Sequence, residues 1–222
     1  MYENLTPTDE VVIVEMGARR SGDISQLTKM VKPQYGILTA IGEQHLETFG
    51  SVENILKTKF ELCEHMSSHG KVLFDGASEF TSKLYSRFVG EKYLINNESG
   101  VCFVKDAKYS ISGASFKLYF NQNAFKAKTK ILGAEMLNDI ALAAYMAFLL
   151  GISEKDIVKK IATLIPTPNR FQSIQKENCS IIDDYYNSNL IAAKQIHEDL
   201  KLFKRKKRIF SSRVVKLLVT QV

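Results

Sequence analysis

Three side chains in the first part of the chain have the types and spacing to do chemistry. Glu15 closes the apolar run Glu10-Val11-Val12-Ile13-Val14-Glu15. His45 lies within Gly42-Glu43-Gln44-His45-Leu46-Glu47-Thr48-Phe49-Gly50-Ser51, and Lys59 follows fourteen residues later in Lys59-Phe60-Glu61-Leu62. A carboxylate at the end of a buried strand must be hydrogen-bonded or bound to a cation. It is therefore either a satisfied polar group or a ligand for a hard ion such as Mg²⁺. His45 taken alone reads as a loop histidine, and Lys59 taken alone as a surface charge. An ammonium group has three donors and no acceptor, so it does not bind metal. A desolvated, neutral lysine can instead react with CO₂ to give a carbamate, which turns a cation into an oxygen ligand. Together the three residues outline a metal and phosphate site.

The elements around them place the residues on one rim. Glu10 to Glu15 reads as a buried, β-branched strand. Asp23 is a fair N-cap for a helix through about Val31, which Pro33 stops. Tyr35 to Ile41 reads as a second strand, and Ser51 caps a helix from about Val52 to Met66. Lys71 to Phe74 reads as a third strand. Strand–helix–strand–helix–strand order implies an α/β fold with parallel strands and right-handed crossovers. Ligands in such sheets sit at the carboxyl ends of the strands, where Glu15 and His45 fall.

From Lys92 to Lys130 the pattern changes to short alternating strands, read as a small antiparallel appendage over 92–95, 101–105, 109–112, 115–120 and 125–129. Helices follow over about Glu135–Leu150 and Ser153–Leu164, with Gly151 closing the first. Pro166-Thr167-Pro168 marks the domain boundary, giving units 1–166 and 167–222. The second opens with strands at Phe171–Gln175 and Ser180–Asp183, a helix at Ile191–Phe203 and a strand start at Arg208–Phe210. This reads as the start of a new α/β unit.

The 222 residues are 45% hydrophobic, enough to bury a core. Cys63, Cys102 and Cys179 are widely spaced and form no metal or redox pair, so they read as reduced cysteines in or near a core. The net charge of +6 is a property of the tail: residues 201–222 hold eight basic and no acidic residues, and the rest carries 22 basic against 24 acidic. A basic run at 204–208 without interleaved aromatics does not stack bases, so no nucleic-acid partner is expected. No secretory leader is evident, and the apolar run Ile140 to Ile152 falls short of the ~20 residues that span a bilayer. A soluble, cytoplasmic protein without membrane insertion is expected.

Val14-Glu15-Met16-Gly17-Ala18-Arg19-Arg20-Ser21-Gly22-Asp23-Ile24, Gln44-His45-Leu46-Glu47-Thr48-Phe49-Gly50-Ser51 and Thr58-Lys59-Phe60-Glu61-Leu62 closely resemble the Mur ligases. Further on, Pro168-Asn169-Arg170-Phe171-Gln172 and Ile181-Ile182-Asp183-Asp184-Tyr185-Tyr186-Asn187-Ser188-Asn189 agree. The likeness is greatest to the branch that joins D-alanyl-D-alanine to UDP-N-acetylmuramoyl-tripeptide in cell-wall synthesis. The resemblance implies ATP and Mg²⁺ as cofactors, and a Rossmann-like form for the unit that begins at 167. It implies Glu15 as the Mg²⁺-binding glutamate near the nucleotide phosphates, His45 as the holder of a second Mg²⁺ and Lys59 as the carbamylated lysine assisting it. Arg170 matches a hinge arginine on nucleotide phosphate, and Asp184 an aspartate on the nucleotide side. Asn187 belongs to the same motif. Asn138 stands either for the family's adenine-contacting asparagine or for a plain helix cap.

The family's Gly-x-x-Gly-Lys-Ser/Thr phosphate loop does not occur in the sequence. The expectation is a ligase fragment with the metal half of the site, inactive alone. The alternative is a non-catalytic binding or assembly protein that keeps the fold. The tail after Phe210 reads as a divergent or out-of-frame end. An uncovered sheet edge is expected to leave the protein marginally stable or self-associating.

Overall fold

The computed structural model describes residues 5–42, 46–177, 179–184, 199–201, 208–210 and 218–220. Helix α1 (Asp23–Val31) leads to β1 (Tyr35–Leu38), a short helical turn α2 (Leu46–Phe49) and α3 (Val52–His65). Then come β2 (Lys71–Asp75), α4 (Glu79–Arg87), β3 (Glu91–Ile95) and the meander β4 (Cys102–Ser110), β5 (Gly113–Phe120) and β6 (Asn123–Thr129). Helices α5 (Ala134–Leu149) and α6 (Glu154–Ile161) follow.

One six-stranded sheet runs β1-β2-β3-β4-β5-β6. β1, β2 and β3 are parallel, with Tyr35 opposite Lys71 and Lys71 opposite Glu91, and a bridge from Ile95 to Cys102 joins β3 to β4. β4, β5 and β6 are antiparallel. The α/β class with parallel strands followed by an antiparallel part is thus as expected, the antiparallel strands continuing the same sheet. Lys92–Ile95 differs in direction: it extends the parallel half, because the crossover through α4 returns the chain to the same end of the sheet. β4 is one strand where two were expected. Asp106 adopts a left-handed conformation (φ 55°), and the register shifts between Lys105 and Lys108, which is a bulge that breaks the alternation without ending the pairing.

Both faces of the parallel half are covered. In β2, Val72 and Phe74 join a core with Ile24, Leu38, Phe60 and Leu62 from the α1/α3 side, whereas Leu73 joins the core built on α5 with Leu118, Phe120 and Leu137. Side chains alternate across a strand, so this segregation follows from the pleat. The continuous apolar run of β2 is what two-sided burial requires. Cys63 and Cys102 are buried, and burial pushes both thiols up to about 12; Cys179 is exposed, contrary to a core placement.

The capping reading holds for two helices. Ser51 Oγ accepts the Asn54 amide at 3.2 Å, and Ser153 Oγ accepts the Asp156 amide at 3.3 Å. For α1 the cap position is Gly22, with Asp23 inside the first turn.

The expected strand at Glu10–Glu15 is absent. These residues have no regular structure, and Val11, Val12 and Ile13 are 55%, 51% and 92% exposed. A β-branched run becomes a strand only when a ladder receives its backbone groups, and among the described residues β1 bonds to a strand on one side only.

Beyond Pro168, β7 (Gln172–Gln175) and β8 (Ser180–Asp183) form an antiparallel pair, and β9 (Arg208–Phe210) pairs with β10 (Leu218–Thr220). Most of the expected helix at 191–203 lies outside the described residues. Among the described residues no helix is long and apolar enough to cross a membrane.

Candidate active site

Helix α3 is the scaffold of the first part of the site. Thr58 and Glu61 are three residues apart and so share a helix face. Thr58 Oγ1 donates to the Asn54 carbonyl at 2.8 Å and lies 3.4 Å from Ser21 Oγ. The Glu61 carboxylate accepts the Gly22 amide on one oxygen and the Ser25 amide on the other, both at 2.8 Å. Gly22 offers no side-chain cap to α1, so Glu61 supplies that cap from a neighbouring helix, where the dipole favours a carboxylate. Asp23 fixes the same loop from within. Its Oδ2 accepts the Arg19 and Arg20 amides at 2.9 and 3.1 Å, and these hold its carboxyl below the usual range. Sequence reading gave no role to Glu61 or Thr58. The signal was there in their spacing beside Lys59.

The clamped loop follows Glu15 and lies against the helix that carries Lys59. Lys59 is half-buried; burial pushes its amine down from the ordinary lysine range, and the Glu15 carboxylate opposes that shift. The structure therefore brings Glu15 and Lys59 within electrostatic reach, although Glu15 is exposed on an irregular segment and not buried at a strand end. His45 lies outside the described residues, as does Asn187. Among the described residues no three His, Cys, Asp or Glu side chains form a metal-binding group.

A second group lies where β2 and β3 end. Asp75 is 2% exposed, and its Oδ1 accepts from the Ala77 amide at 3.1 Å and from Asn96 Nδ2 at 2.9 Å. Asn96 also donates to the Asn138 carbonyl at 3.1 Å, while its own Oδ1 is buried without a partner. Asn138 is an interior residue of α5, whose cap position is Gly133, so the helix-cap alternative is ruled out. Next to it, Asp139 is pushed up to about 6 by burial and by the charges of Asp75 and Glu135.

The Arg170 loop meets the start of α5. Asn169 and Phe171 have positive φ (64° and 45°), a shape held by the Phe171 amide, which donates to Asp184 Oδ1 at 2.9 Å. Phe171 is buried against Leu132, and an added Cβ on Gly133 would lie 3.3 Å from its ring. Arg170 is exposed on this loop, so Arg170, Asp184 and the Asn138 helix are neighbours. A hollow of about 500 Å³ lies around Lys108–Ser110, Ser112–Ser115, Lys128–Lys130 and Ala162, and its Tyr109 packs against the Leu132 and Phe171 cluster.

A mixed sheet with polar groups at the carboxyl ends of its parallel strands is the architecture of a nucleotide-type α/β domain. Residues 1–147 match the Mur ligase middle domain, and the chain belongs to the Mur ligase family. It is 28% identical over 202 residues to the UDP-N-acetylmuramoyl-tripeptide–D-alanyl-D-alanine ligase of Bacillus subtilis, covering 89% of this chain and 43% of that one. Among solved structures, MurF from Acinetobacter baumannii superposes with a TM-score of 0.77 at 26% identity, over 84% of this chain and 41% of that one. MurF from Thermotoga maritima in complex with ADP gives 0.76 at 27% identity, over 86% and 44%. The chain thus spans less than half the length of the relatives it matches.

Proposed function

We propose that the chain supplies the metal-binding part of the ATP site of a cytoplasmic ligase in peptidoglycan precursor synthesis, one that joins D-alanyl-D-alanine to UDP-N-acetylmuramoyl-tripeptide. Residues 1–166 form its central domain, and 167–222 begin its C-terminal domain. The observation that carries the reading is the approach of Glu15 to a half-buried Lys59 whose amine is pushed down. That shift raises the neutral fraction CO₂ modification requires. A carboxylate and a carbamate are hard oxygen donors and fit Mg²⁺; Glu15 would hold one ion, and His45 with carbamylated Lys59 a second. What Mg²⁺ supplies when bound is neutralisation of charge on the phosphoryl oxygens.

In this reading ATP phosphorylates the terminal carboxylate of the tripeptide. The amine of D-alanyl-D-alanine attacks the acyl phosphate, and phosphate leaves from the tetrahedral intermediate. The chain's own residues position the reactants, since phosphoryl transfer is mostly positioning and electrostatics. Arg170 faces nucleotide phosphate, Asp184 holds the Arg170 loop, Asn187 completes that side, and Asn138 lies beside the adenine. The nucleotide placement is supported by the bond from Asn96, at the carboxyl end of β3, to the Asn138 carbonyl, by the Phe171–Asp184 bond that holds the Arg170 loop, and by ADP in a structurally similar MurF.

Calorimetric titration of the chain with ATP tests the reading. Binding is expected to require Mg²⁺ and to weaken roughly tenfold in Glu15→Ala, about the worth of one charge-assisted contact. Binding indifferent to both Mg²⁺ and Glu15 would overturn it. The second reading, a non-catalytic binding or assembly protein that retains the fold, is favoured by Glu15 lying exposed on an irregular segment. It predicts no phosphate release from ATP when both peptide substrates are present.

A further inference from the structure

The outer face of β4–β5–β6 carries a charge pattern that the ligase reading leaves unused. The registers Lys105↔Lys117↔Lys126 and Lys108↔Ser115↔Lys128 put five lysines on one face of three adjacent strands. The other face is apolar, with Phe116, Leu118 and Ala127 buried in the α5/α6 core. The bulge at Asp106 decides the membership of the row. Strict alternation from Lys105 would aim Lys108 at the core, and the extra residue returns it to the outer face.

Two carboxylates answer these charges: Asp106 pairs with Lys117 at 2.6 Å, and Glu98 with Lys105 at 2.7 Å. Lys108, Lys126 and Lys128 are exposed and make no ion pair among the described residues. Like charges on neighbouring strands disfavour the sheet, so the excess calls for an anion from outside.

The form of the face selects the anion. Phe103 and Tyr119, one register row away, stack on each other at 4.7 Å with 8° between planes. Phe103 is buried between this stack and Lys105 Nζ, which lies 5.6 Å from its ring, whereas sheets that bind nucleic acid present free aromatic faces to bases. A sheet face is also an area, not a channel, and matches a field of many small anionic headgroups. We propose that this face is a peripheral docking surface for an anionic phospholipid bilayer, bound electrostatically and without insertion.

Each lysine near such a surface contributes roughly fivefold in partition. The whole chain is expected to co-sediment with vesicles of equal parts phosphatidylcholine and phosphatidylglycerol but not with phosphatidylcholine alone, and to be released by salt. The triple substitution Lys108→Gln, Lys126→Gln, Lys128→Gln is expected to weaken partition on the order of 100-fold. The corresponding triple change to Arg keeps it, which separates charge from folding. Loss of binding on neutralising 204–208, with the triple Gln variant unaffected, would place the affinity in the tail and overturn the proposal. So would equal binding to both vesicle types, or tighter binding to a single-stranded oligonucleotide that the same three lysines control.

Discussion

Lys59 stands under two opposed influences, burial that disfavours its charge and the Glu15 carboxylate that favours it. Burial is the larger, so the folded chain gives up this proton more readily than the unfolded one. Between the lowered folded value and the ordinary lysine value of 10.5, the unfolded chain therefore holds more protons, and stability rises with pH across that window. Lys59→Met is expected to remove that slope from urea-unfolding free energies measured over the alkaline range. The same neutral amine is the form that reacts with CO₂. In ¹³C-bicarbonate a carbamate resonance is expected that grows from neutral to mildly alkaline pH and is missing in Lys59→Arg. A wild-type spectrum without it, or with it equally in Lys59→Arg, would remove the chemical basis of the metal site. Asp139, at about 6, lies on the other side of the ledger: its stabilising protonated form is lost as pH rises from 3.8 through that value.

At the scale of elements, the α1–α3 pair is held by one side chain. Glu61→Ala removes two bonds from a carboxylate to a helix N-terminus, and a loss of about 2–3 kcal/mol in unfolding free energy is expected. Glu61→Gln, with a single acceptor oxygen, falls between. Glu64→Ala on the same helix breaks only an exposed 3.6 Å pair with Arg87 and is expected to cost under ~0.5 kcal/mol. An unchanged midpoint in Glu61→Ala would show that the loop before α1 is held by something else. These elements also show what the sequence makes legible. The Ser51 and Ser153 caps are local chemistry and read correctly. So did β2, whose burial on both faces is written in its composition. Helix α4 went unread because its Thr81, Ser82 and Ser86 favour turns; the Ser78 cap, the Glu79–Lys83 pair and packing of Leu84 and Tyr85 on the sheet make it helical. Strand direction at β3 and the register across the Asp106 bulge depend on partners distant in sequence. The Glu15–Lys59 approach has the same character: residue types and family motifs pointed to the pair, but no periodicity encodes the approach itself.

For the molecule as a whole, the sheet is closed unequally. At the antiparallel end, α6 packs against β6, whereas among the described residues β1 pairs with a strand on one side only, and Ile37 is 36% exposed. Near it in sequence runs an apolar segment with no ladder of its own, with Ile13 92% exposed. An edge of unpaired N–H and C=O groups templates strand addition, and exposed β-branched residues favour it. Self-association through this edge is the expected outcome, with a second copy donating a strand to β1. Sedimentation velocity over a hundredfold concentration range is expected to show a reversible shift from monomer to larger species. Ile13→Lys and Ile37→Lys oppose strand addition by placing charge at the contact, and each is expected to move the shift to higher concentration. Neither side chain is needed by the buried core, so stability should change by less than ~0.5 kcal/mol. A single monomeric boundary at every concentration, with cooperative two-state unfolding, would mean that the edge is already satisfied within one chain.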